Sequence, residues 1–260
     1  MCDLKIFITN LLKLIIKDYG LNMKCILADY KLEMRAEVEN WGAYLEKYKV
    51  DFDTPDFIFQ ITENDILKEY HLSDDESLNL GSLRYTAVYR KLAEIIPSKN
   101  GFVLHSATID IDGVGFAFAA HSGTGKTTHM NLWQKLLGDK MVIVNGDKPI
   151  VRFFDDEPET PYAYGTPWCG KEQLGCNIRT PLKHICFIER SETNFVEPME
   201  KADAIERIFN QVYKPSDPVA VMKTMQLIDR LLSCCKLWTI HCNMEDEAAE
   251  VAYNAIIRNA

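Results

Sequence analysis

The chain has 260 residues, of which 47% are hydrophobic and 26% are charged, an ordinary balance for a globular protein. That length allows one large domain, or one domain with a smaller lobe, and the composition excludes global disorder and fibrous repeats. With 29 basic and 38 acidic side chains the net charge is −9, so no general nucleic-acid-binding surface is expected. An acidic chain that binds phosphate must do so locally, through backbone N–H groups and a few placed cations.

The first 22 residues form an apolar segment with a helical period, which Lys5, Lys13 and Lys17 interrupt. The uninterrupted apolar stretch is too short for a membrane span, and no small-residue cleavage site of a signal peptide follows it. The segment is therefore either a docking helix or an extension ahead of a second possible start at Met23. We favour the extension, because MKCILADYKLEM is typical of the first strand of a domain.

Residues 23–100 predict a small N-terminal lobe that is rich in β-structure. Three short runs have the apolar–polar pattern of strands: CILADYKLEM, KYKVDF and DFIFQIT. Thr62 has the character of an N-cap and predicts a short helix after it. Residues 82–96 place apolar side chains at helical spacing, and Pro97 ends that helix.

Residues 101–260 predict a second, larger domain. It begins with two strands joined by a tight turn at Asp112-Gly113, and a glycine-rich loop and a helix ending at Gly138 follow. Four further strands are predicted at KMVIVN, PIVRFF, HICFIER and KLWTIHCN. Three helices are predicted at KADAIERIFNQVY, PVAVMKTMQLIDRLLSCC and EDEAAEVAYNAIIRNA. Strands and helices do not alternate strictly, so we predict an α/β fold, leaning towards α+β, with a mixed sheet.

The glycine-rich loop has the core of a Walker A sequence. Its residues are Ser122, Gly123, Thr124, Gly125, Lys126, Thr127 and Thr128. Glycines let backbone N–H groups approach phosphate oxygens, and the following helix points its positive end at the same anion. Lys126 adds a charge for the β- and γ-phosphates, and the Thr127 hydroxyl is a ligand for Mg²⁺. Ala120 stands where the full pattern has glycine, which is acceptable if the local φ is negative.

Asp147 is the second candidate functional residue. It follows an apolar strand, 21 residues after Lys126. A carboxylate there can hold Mg²⁺ or can accept the proton of an attacking hydroxyl, and the sequence leaves both roles open. Asn145 and Lys148 flank it as supporting groups.

From His105 to Thr127 the chain resembles the catalytic domain of bacterial HPr kinase/phosphorylase. The shared order is His105, a small residue, an apolar strand with Asp110, Gly113-Val114-Gly115, a second strand and the loop that starts at Ser122. The loop is also similar to that of ATP-dependent phosphoenolpyruvate carboxykinase.

The resemblance implies a mixed-sheet nucleotide-binding domain that uses ATP, or another nucleoside triphosphate, with Mg²⁺. It places His105 close to the γ-phosphate or the acceptor and makes Asp147, Lys126 and His105 the candidate catalytic residues. Thr127 and Asp147 become the candidate metal ligands. That family has two adjacent acidic residues after the next strand, whereas this chain has Gly146-Asp147.

The segment TPYAYGTPWCGKEQLG has the length and composition of a functional loop. Residues predicted to close over a nucleotide or an acceptor are Gly165, Thr166, Trp168, Gly170 and Lys171. Lys171 is the first candidate for a second cation, and Arg179 and Arg190 are alternatives. We expect Asp110 to be a turn residue, Asp155–Glu159 to be a solvated turn and His129 to be explained by its helical position. His121 stands inside the glycine-rich loop and is a minor candidate for contact with the nucleotide.

Eight cysteines are present without a C-x-x-C pair and without zinc-ligand spacing. Their apolar neighbours predict buried free thiols, and hence a reducing, cytoplasmic location.

The leading hypothesis is an ATP-dependent phosphotransferase that moves the γ-phosphate to a hydroxyl of a protein, a peptide or a metabolite. The alternative is a non-catalytic nucleotide sensor. Carboxykinase chemistry on an oxaloacetate-like acid ranks third, because that family needs a further metal site and a chain about twice this length. The acceptor, the preferred nucleotide and the oligomeric state stay open, and neither nucleic-acid binding nor a membrane span is expected.

Overall fold

The computed structural model describes residues 21–36, 43–73 and 80–258. The chain divides into two compact units, Met1–Leu92 and Ala93–Ala260. Most of the predicted N-terminal segment lies outside the described residues, although residues 21 and 22 begin the first strand. The predicted domain boundary between residues 100 and 101 stays a prediction.

The first unit contains a three-stranded sheet in the order β1-β2-β3. Strands β1 (Leu21–Leu27) and β2 (Tyr30–Ala36) form an antiparallel hairpin, and β3 (Phe57–Ile61) runs parallel to β2. The prediction of one strand across CILADYKLEM was therefore wrong. Ala28 and Asp29 both adopt positive φ angles, 51° and 58°, and turn the chain back on itself.

The prediction of a strand at KYKVDF was also wrong. The backbone of this run bonds to β1 through Ile26 and Tyr48, and through Val50 and Lys24, and Lys49 makes one isolated bridge. A turn over residues 45–48 places the run beside β1. Too few of its residues then pair with β1 to form a strand.

Three helices belong wholly or mainly to the first unit: α1 (Ala43–Glu46), α2 (Glu63–Leu72) and α3 (Leu80–Ile95). Thr62 caps α2 as predicted, with its hydroxyl accepting from the Asp65 amide while the Asp65 carboxylate accepts from the Thr62 amide. The predicted helix over residues 82–96 is confirmed by α3, and a short 3-10 turn with Pro97 follows it.

The second unit contains nine strands and four α-helices among the residues described. The strands are β4 (Gly101–Val103), β5 (Ser106–Ile111), β6 (Val114–Ala119), β7 (Met141–Asn145), β8 (Ile150–Arg152), β9 (Tyr162–Tyr164), β10 (Arg179–Arg190), β11 (Phe195–Pro198) and β12 (Lys236–Cys242). The helices are α4 (Lys126–Leu137), α5 (Lys201–Phe209), α6 (Pro218–Cys234) and α7 (Glu247–Tyr253).

Strand β10 is the centre of this sheet. Its C-terminal half runs parallel to β6 on one side and to β12 on the other, and its first residues pair antiparallel with β9. The order β4-β8-β9-β10-β6-β5-β7, with β12 and β11 branching from β10, combines both orientations. The predicted mixed sheet is thus confirmed.

Each face of the sheet buries a helical layer. Ala117 and Ala119 of β6 face the core that includes α5 and α6, whereas Phe116 and Phe118 face the core that includes α4 and α7. This alternation follows the two-residue period of a strand. Strand β6 is therefore fixed from both faces, and the glycine-rich loop leaves from its end.

Among the described residues, no helix is both long and apolar enough to cross a membrane. Cys25, Cys169, Cys186 and Cys242 are buried and form no disulfide bond among the described residues, as predicted, but Cys176 is exposed.

Candidate functional site

The glycine-rich loop, residues 121–125, connects β6 to α4. Gly123 and Gly125 have φ angles of 77° and 127°, which L side chains rarely adopt, so glycine is required at both positions. Gly125 is the N-cap of α4 and has no side chain to accept from the first helical N–H groups. Because the first amides of a helix have no acceptor within it, those of Lys126 and Thr127 are available for an anion.

Lys126 lies across this loop. Its side chain is buried, and Nζ donates to the carbonyl oxygen of Ala120 at 2.9 Å. Burial lowers the pKa of Lys126, against the attraction of Asp147, and the charge of Lys148 adds to the lowering. Ala120 does not have a positive φ, so its methyl group fits where the full Walker A pattern has glycine.

Asp147 follows β7 and faces the start of α4. Oδ1 lies 3.2 Å from Nε2 of His105, and Oδ2 accepts from Nζ of Lys148 at 2.7 Å. Burial would raise the pKa of Asp147, but the hydrogen bonds and charges of His105 and Lys148 outweigh it and lower the pKa to about 2. Asp147 is therefore a carboxylate under all ordinary conditions.

The buried amide of Asn145 fixes the turn that presents Asp147. Its Oδ1 accepts from the backbone amides of Asp147 and Lys148 at 2.9 and 2.7 Å. Its Nδ2 donates to Thr166 Oγ1 at 3.0 Å, and that hydroxyl donates to the Lys148 carbonyl. The carboxylate is thus positioned by a fully paired polar cluster rather than by a flexible turn.

A cavity of about 470 Å³, termed the phosphate cavity, brings the predicted site together. Predicted residues that line it are His105, Ser122, Gly123, Gly125, Lys126, Thr127, Thr128, Asp147, Gly170 and Lys171. Thr124 of the predicted set does not line it and borders two neighbouring cavities instead. Three lysines, Lys126, Lys148 and Lys171, converge here in a chain with a net charge of −9.

Gly146 has a packing reason to be glycine. A Cβ atom there would lie 2.8 Å from the Cys169 carbonyl oxygen and 3.1 Å from that of Leu174. The Gly146 amide also donates to the Leu174 carbonyl at 2.9 Å. A second carboxylate beside Asp147 is therefore excluded by the segment that packs on it.

The same segment brings a further carboxylate to the site, one that was not predicted from the sequence. Glu172 lines the phosphate cavity, and a Cβ atom built on Gly170 would lie 3.5 Å from both Asp147 Cβ and Glu172 Oε2. The signal was present in the run CGKEQLG, in which an acidic side chain follows the candidate Lys171.

The segment over residues 160–175 is only partly the open loop that was predicted. Its first part is β9, and Thr166 and Trp168 are buried with 1% and 4% of their surface exposed. A Cβ atom on Gly165 would overlap the Cys176 carbonyl at 1.7 Å. The prediction that Gly165, Thr166 and Trp168 close over a ligand was wrong, because all three residues are buried. The Thr166 hydroxyl and the Trp168 carbonyl instead bond to the backbone of Lys148, next to Asp147.

The two alternative cations lie at opposite ends of β10. Arg190 donates to the carbonyl oxygens of Gly123 and Thr124, with Nε at 3.2 Å from the latter. Arg179 instead lies over the ring of Tyr162, 4.7 Å from its centre. Arg190 therefore holds the outer side of the glycine-rich loop, and Arg179 belongs to the far end of the sheet.

The remaining sequence expectations concern residues outside the phosphate cavity. The prediction of Asp110 as a turn residue was wrong, because Asp110 lies in strand β5 and pairs with both β6 and β7. Its carboxylate nevertheless supports the turn that follows, since it accepts from the Gly113 amide at 3.0 Å and from the Thr180 hydroxyl. The turn over Asp155–Glu159 is exposed as predicted. His121 is exposed in the loop, whereas His129 is buried in α4.

Two further cavities flank the glycine-rich loop. One, of about 750 Å³, extends from residues 119–124 to Arg207, Asn210 and Gln211. The other, of about 500 Å³, lies between the start of α4 and the ends of β10 and β12. Arg190 borders both.

The oxygen donors in the phosphate cavity suit Mg²⁺. The described residues contain no cluster of three or more histidine, cysteine or acidic side chains placed to enclose a metal. Mg²⁺ is usually held by one or two carboxylates together with waters and substrate phosphates, so Asp147 and the Thr127 hydroxyl fit this ion.

No family model matches the chain, and no curated protein matches its sequence. Among solved structures, the chain is similar to the Hpr(Ser) kinase/phosphatase from Coxiella burnetii, with a TM-score of 0.34 and 7% sequence identity. The match covers 60% of this chain and 97% of that one. A likeness this weak carries no conclusion about family or activity, so function rests on the geometry of the site.

Proposed function

We propose that the protein is an ATP-dependent phosphotransferase that moves the γ-phosphate to a hydroxyl acceptor with the help of Mg²⁺. The single observation that supports this most is the phosphate cavity, where an uncapped helix start, three lysines and the carboxylate of Asp147 meet. A polyanion with a bound divalent cation matches that arrangement of charge.

In this proposal the glycine-rich loop binds the phosphates. The free amides at the start of α4 donate to phosphate oxygens, and Lys126 moves its ammonium group from the Ala120 carbonyl to the β- and γ-phosphates. Its burial strengthens that attraction, because few water molecules screen the charge. Lys171 faces the same cavity and offsets charge that develops on the transferred group.

Asp147 suits metal binding better than proton abstraction. A carboxylate with a pKa of about 2 is a weak general base, whereas it stays ionised to hold a cation. When bound, Mg²⁺ would neutralise the phosphate oxygens and fix their orientation, with Asp147 and Thr127 as its protein ligands. Glu172 adds a second carboxylate to the cavity.

His105 is the candidate group for the acceptor proton. Its Nε2 faces Asp147 Oδ1, and if this nitrogen donates there, the neutral ring has its lone pair on Nδ1. Asp147 would then orient the ring and His105 would accept the proton of the attacking hydroxyl. The bond that forms is acceptor oxygen to γ-phosphorus, and the bond that breaks joins that phosphorus to the β–γ bridging oxygen.

One observation favours the second candidate function, a nucleotide sensor without turnover. Both oxygens of Asp147 are already engaged by His105 and Lys148, and Gly146 leaves no room for a neighbouring acid. A sensor would bind nucleotide tightly but transfer phosphate slowly or not at all.

The test is transfer of labelled phosphate from γ-labelled ATP and Mg²⁺ to fractions of a cell lysate. We expect labelling with the wild type and none with Lys126→Ala, whereas Lys135→Ala on the exposed side of the same helix should match the wild type. Asp147→Asn should abolish transfer, and calorimetry should still detect nucleotide on that variant. Tight ATP binding without transfer to any fraction would favour the sensor, and absence of binding would contradict both functions.

A further inference from the structure

His129 lies one turn into α4 and has a single possible tautomer. Its ring is 2% exposed, and Nε2 accepts from the indole N–H of Trp133 at 2.9 Å. A tryptophan N–H can only donate, so Nε2 has no proton. An imidazole that accepts at Nε2 is the neutral ring, which has a single N–H group. The remaining proton is therefore on Nδ1.

That Nδ1–H group has no hydrogen-bond partner within the part of the chain that the structure describes. Buried polar groups in folded proteins are almost always paired, because an unpaired donor has lost its water without gaining an acceptor. His129 therefore indicates that an acceptor from outside the chain belongs beside it.

The cavity of about 500 Å³ that His129 lines, termed the α4 cleft, has the size of a small-molecule site. Its walls include the buried side chains of Ile188 and Cys242. At its mouth Met244 is 77% exposed, a large apolar side chain left in solvent. Apolar walls and a thioether suit the face of a flat aromatic heterocycle.

The α4 cleft borders the phosphate cavity, since Gly125 and Thr128 line both. In a Walker A loop the lysine reaches the β- and γ-phosphates while the loop amides hold the α- and β-phosphates. The nucleoside adjoins the α-phosphate, so it leaves the phosphate cavity over the start of the helix. The α4 cleft lies on that path.

We propose that the α4 cleft holds the nucleoside of a purine nucleotide and that His129 Nδ1–H donates to an acceptor nitrogen of the base. This inference rests on the proposed nucleotide-binding function. In this arrangement Met244 covers one face of the base, and the ring of His129 meets the edge of the base.

The experiment compares Mg-ATP with Mg-tripolyphosphate, which has the phosphates but no nucleoside, by titration calorimetry. His129→Gln keeps a carbonyl for the Trp133 N–H but places no donor where Nδ1 lay. We expect this variant to bind ATP about threefold to tenfold more weakly and tripolyphosphate as the wild type does. Asn210→Ala, in the cavity on the other side of the loop, should change neither affinity.

A second variant avoids the buried helix. Met244→Ala changes an exposed side chain and should weaken ATP about twofold to tenfold, again without effect on tripolyphosphate. Equal losses for both ligands, unchanged ATP affinity in His129→Gln and Met244→Ala, or a loss in Asn210→Ala alone would each overturn the inference.

The inference and the proposed function fail in different ways. If the wild type binds tripolyphosphate in a Lys126-dependent manner but binds ATP no tighter, the nucleoside site is wrong and the phosphate site stands. If the wild type binds neither ligand, the proposed function fails first.

Discussion

At the scale of single residues, Asp147 couples the stability of the second unit to its proposed chemistry. Nζ of Lys148 donates to one of its oxygens, and Nε2 of His105 lies beside the other. Those partners lower the pKa of the carboxyl to about 2, compared with 3.8 for an aspartate without such neighbours. A lowered pKa means that the folded state stabilises the charged form.

The resulting pH dependence can be measured with Asp147→Asn. The contribution of the carboxylate is complete above the unfolded pKa of 3.8 and disappears as pH falls through about 2. We expect the wild type to be more stable than the variant by about 2 kcal/mol at neutral pH, by about half of that near pH 3, and not at all below pH 2. Urea unfolding followed by tryptophan emission measures both proteins, and a constant difference across this range would contradict the prediction.

Gly146 is the second residue whose identity has a direct physical cause. Gly146→Ala would place a methyl carbon 2.8 Å from the Cys169 carbonyl oxygen, so the segment over residues 165–175 must shift. We expect a loss of about 1–3 kcal/mol in the free energy of unfolding, and at least as much for Gly146→Asp. Thermal unfolding compares these variants with the wild type. A gain in phosphate transfer by Gly146→Asp would show that the site tolerates two adjacent acids after all.

At the scale of elements, β10 supports the glycine-rich loop from outside. The loop connects β6 to α4. Arg190, at the end of β10, donates hydrogen bonds to the carbonyl oxygens of Gly123 and Thr124 in this loop. These two hydrogen bonds fix the direction of both carbonyl groups and therefore the conformation of the loop ahead of α4.

Loss of the Arg190 hydrogen bonds to Gly123 and Thr124 should weaken nucleotide binding without unfolding the sheet. We expect Arg190→Ala to raise the dissociation constant of Mg-ATP about tenfold, because the loop loses two charge-assisted hydrogen bonds. Arg179→Ala, at the opposite end of the same strand, is the matched control and should bind normally. Equal affinities in the two variants would show that the loop holds its conformation unaided.

The sequence predicted elements well where local chemistry decides them. Thr62 as a cap, Asp112-Gly113 as a hairpin turn and the strand–loop–helix around Lys126 each follow from a few neighbouring residues. The hairpin at Ala28 was missed because neither Ala28 nor Asp29 is glycine, although both adopt positive φ.

Long-range placement explains what the sequence could not predict in the site. Glu172 reaches the phosphate cavity, and Trp168 is buried, only because the segment over residues 165–175 folds back onto β7. Nothing near these residues in the chain specifies that contact. The role of Arg190 likewise depends on the parallel pairing of β10 with β6.

At the scale of the whole molecule, the accessibility of cysteine thiols measures how tightly each of the two units is packed. Cys25 in the first unit and Cys186 in the second are completely buried, and burial raises the pKa of Cys25 to about 12 and that of Cys186 well above its usual range. Thiols of this kind are protected from reagents that need a thiolate. Cys176, in contrast, is exposed.

Alkylation followed by peptide mass spectrometry should separate these classes. We expect iodoacetamide to label Cys176 within minutes in the native protein, and Cys25 and Cys186 only after denaturant is added. Cys2 lies outside the described residues and is resolved by its own peptide. Rapid native labelling of Cys186 would show that the central sheet opens far more readily than its packing indicates.

The hydrogen bond between Trp133 and His129 gives the molecule a built-in optical reporter. The wavelength of tryptophan fluorescence depends on the dipoles around the indole. The indole N–H of Trp133 donates to the His129 ring, which is the group proposed to contact the base. Filling the α4 cleft would polarise the imidazole and shift this emission. Titrating ATP in a cuvette, with Trp41, Trp168 and Trp238 replaced by phenylalanine, would then follow occupancy without any attached dye.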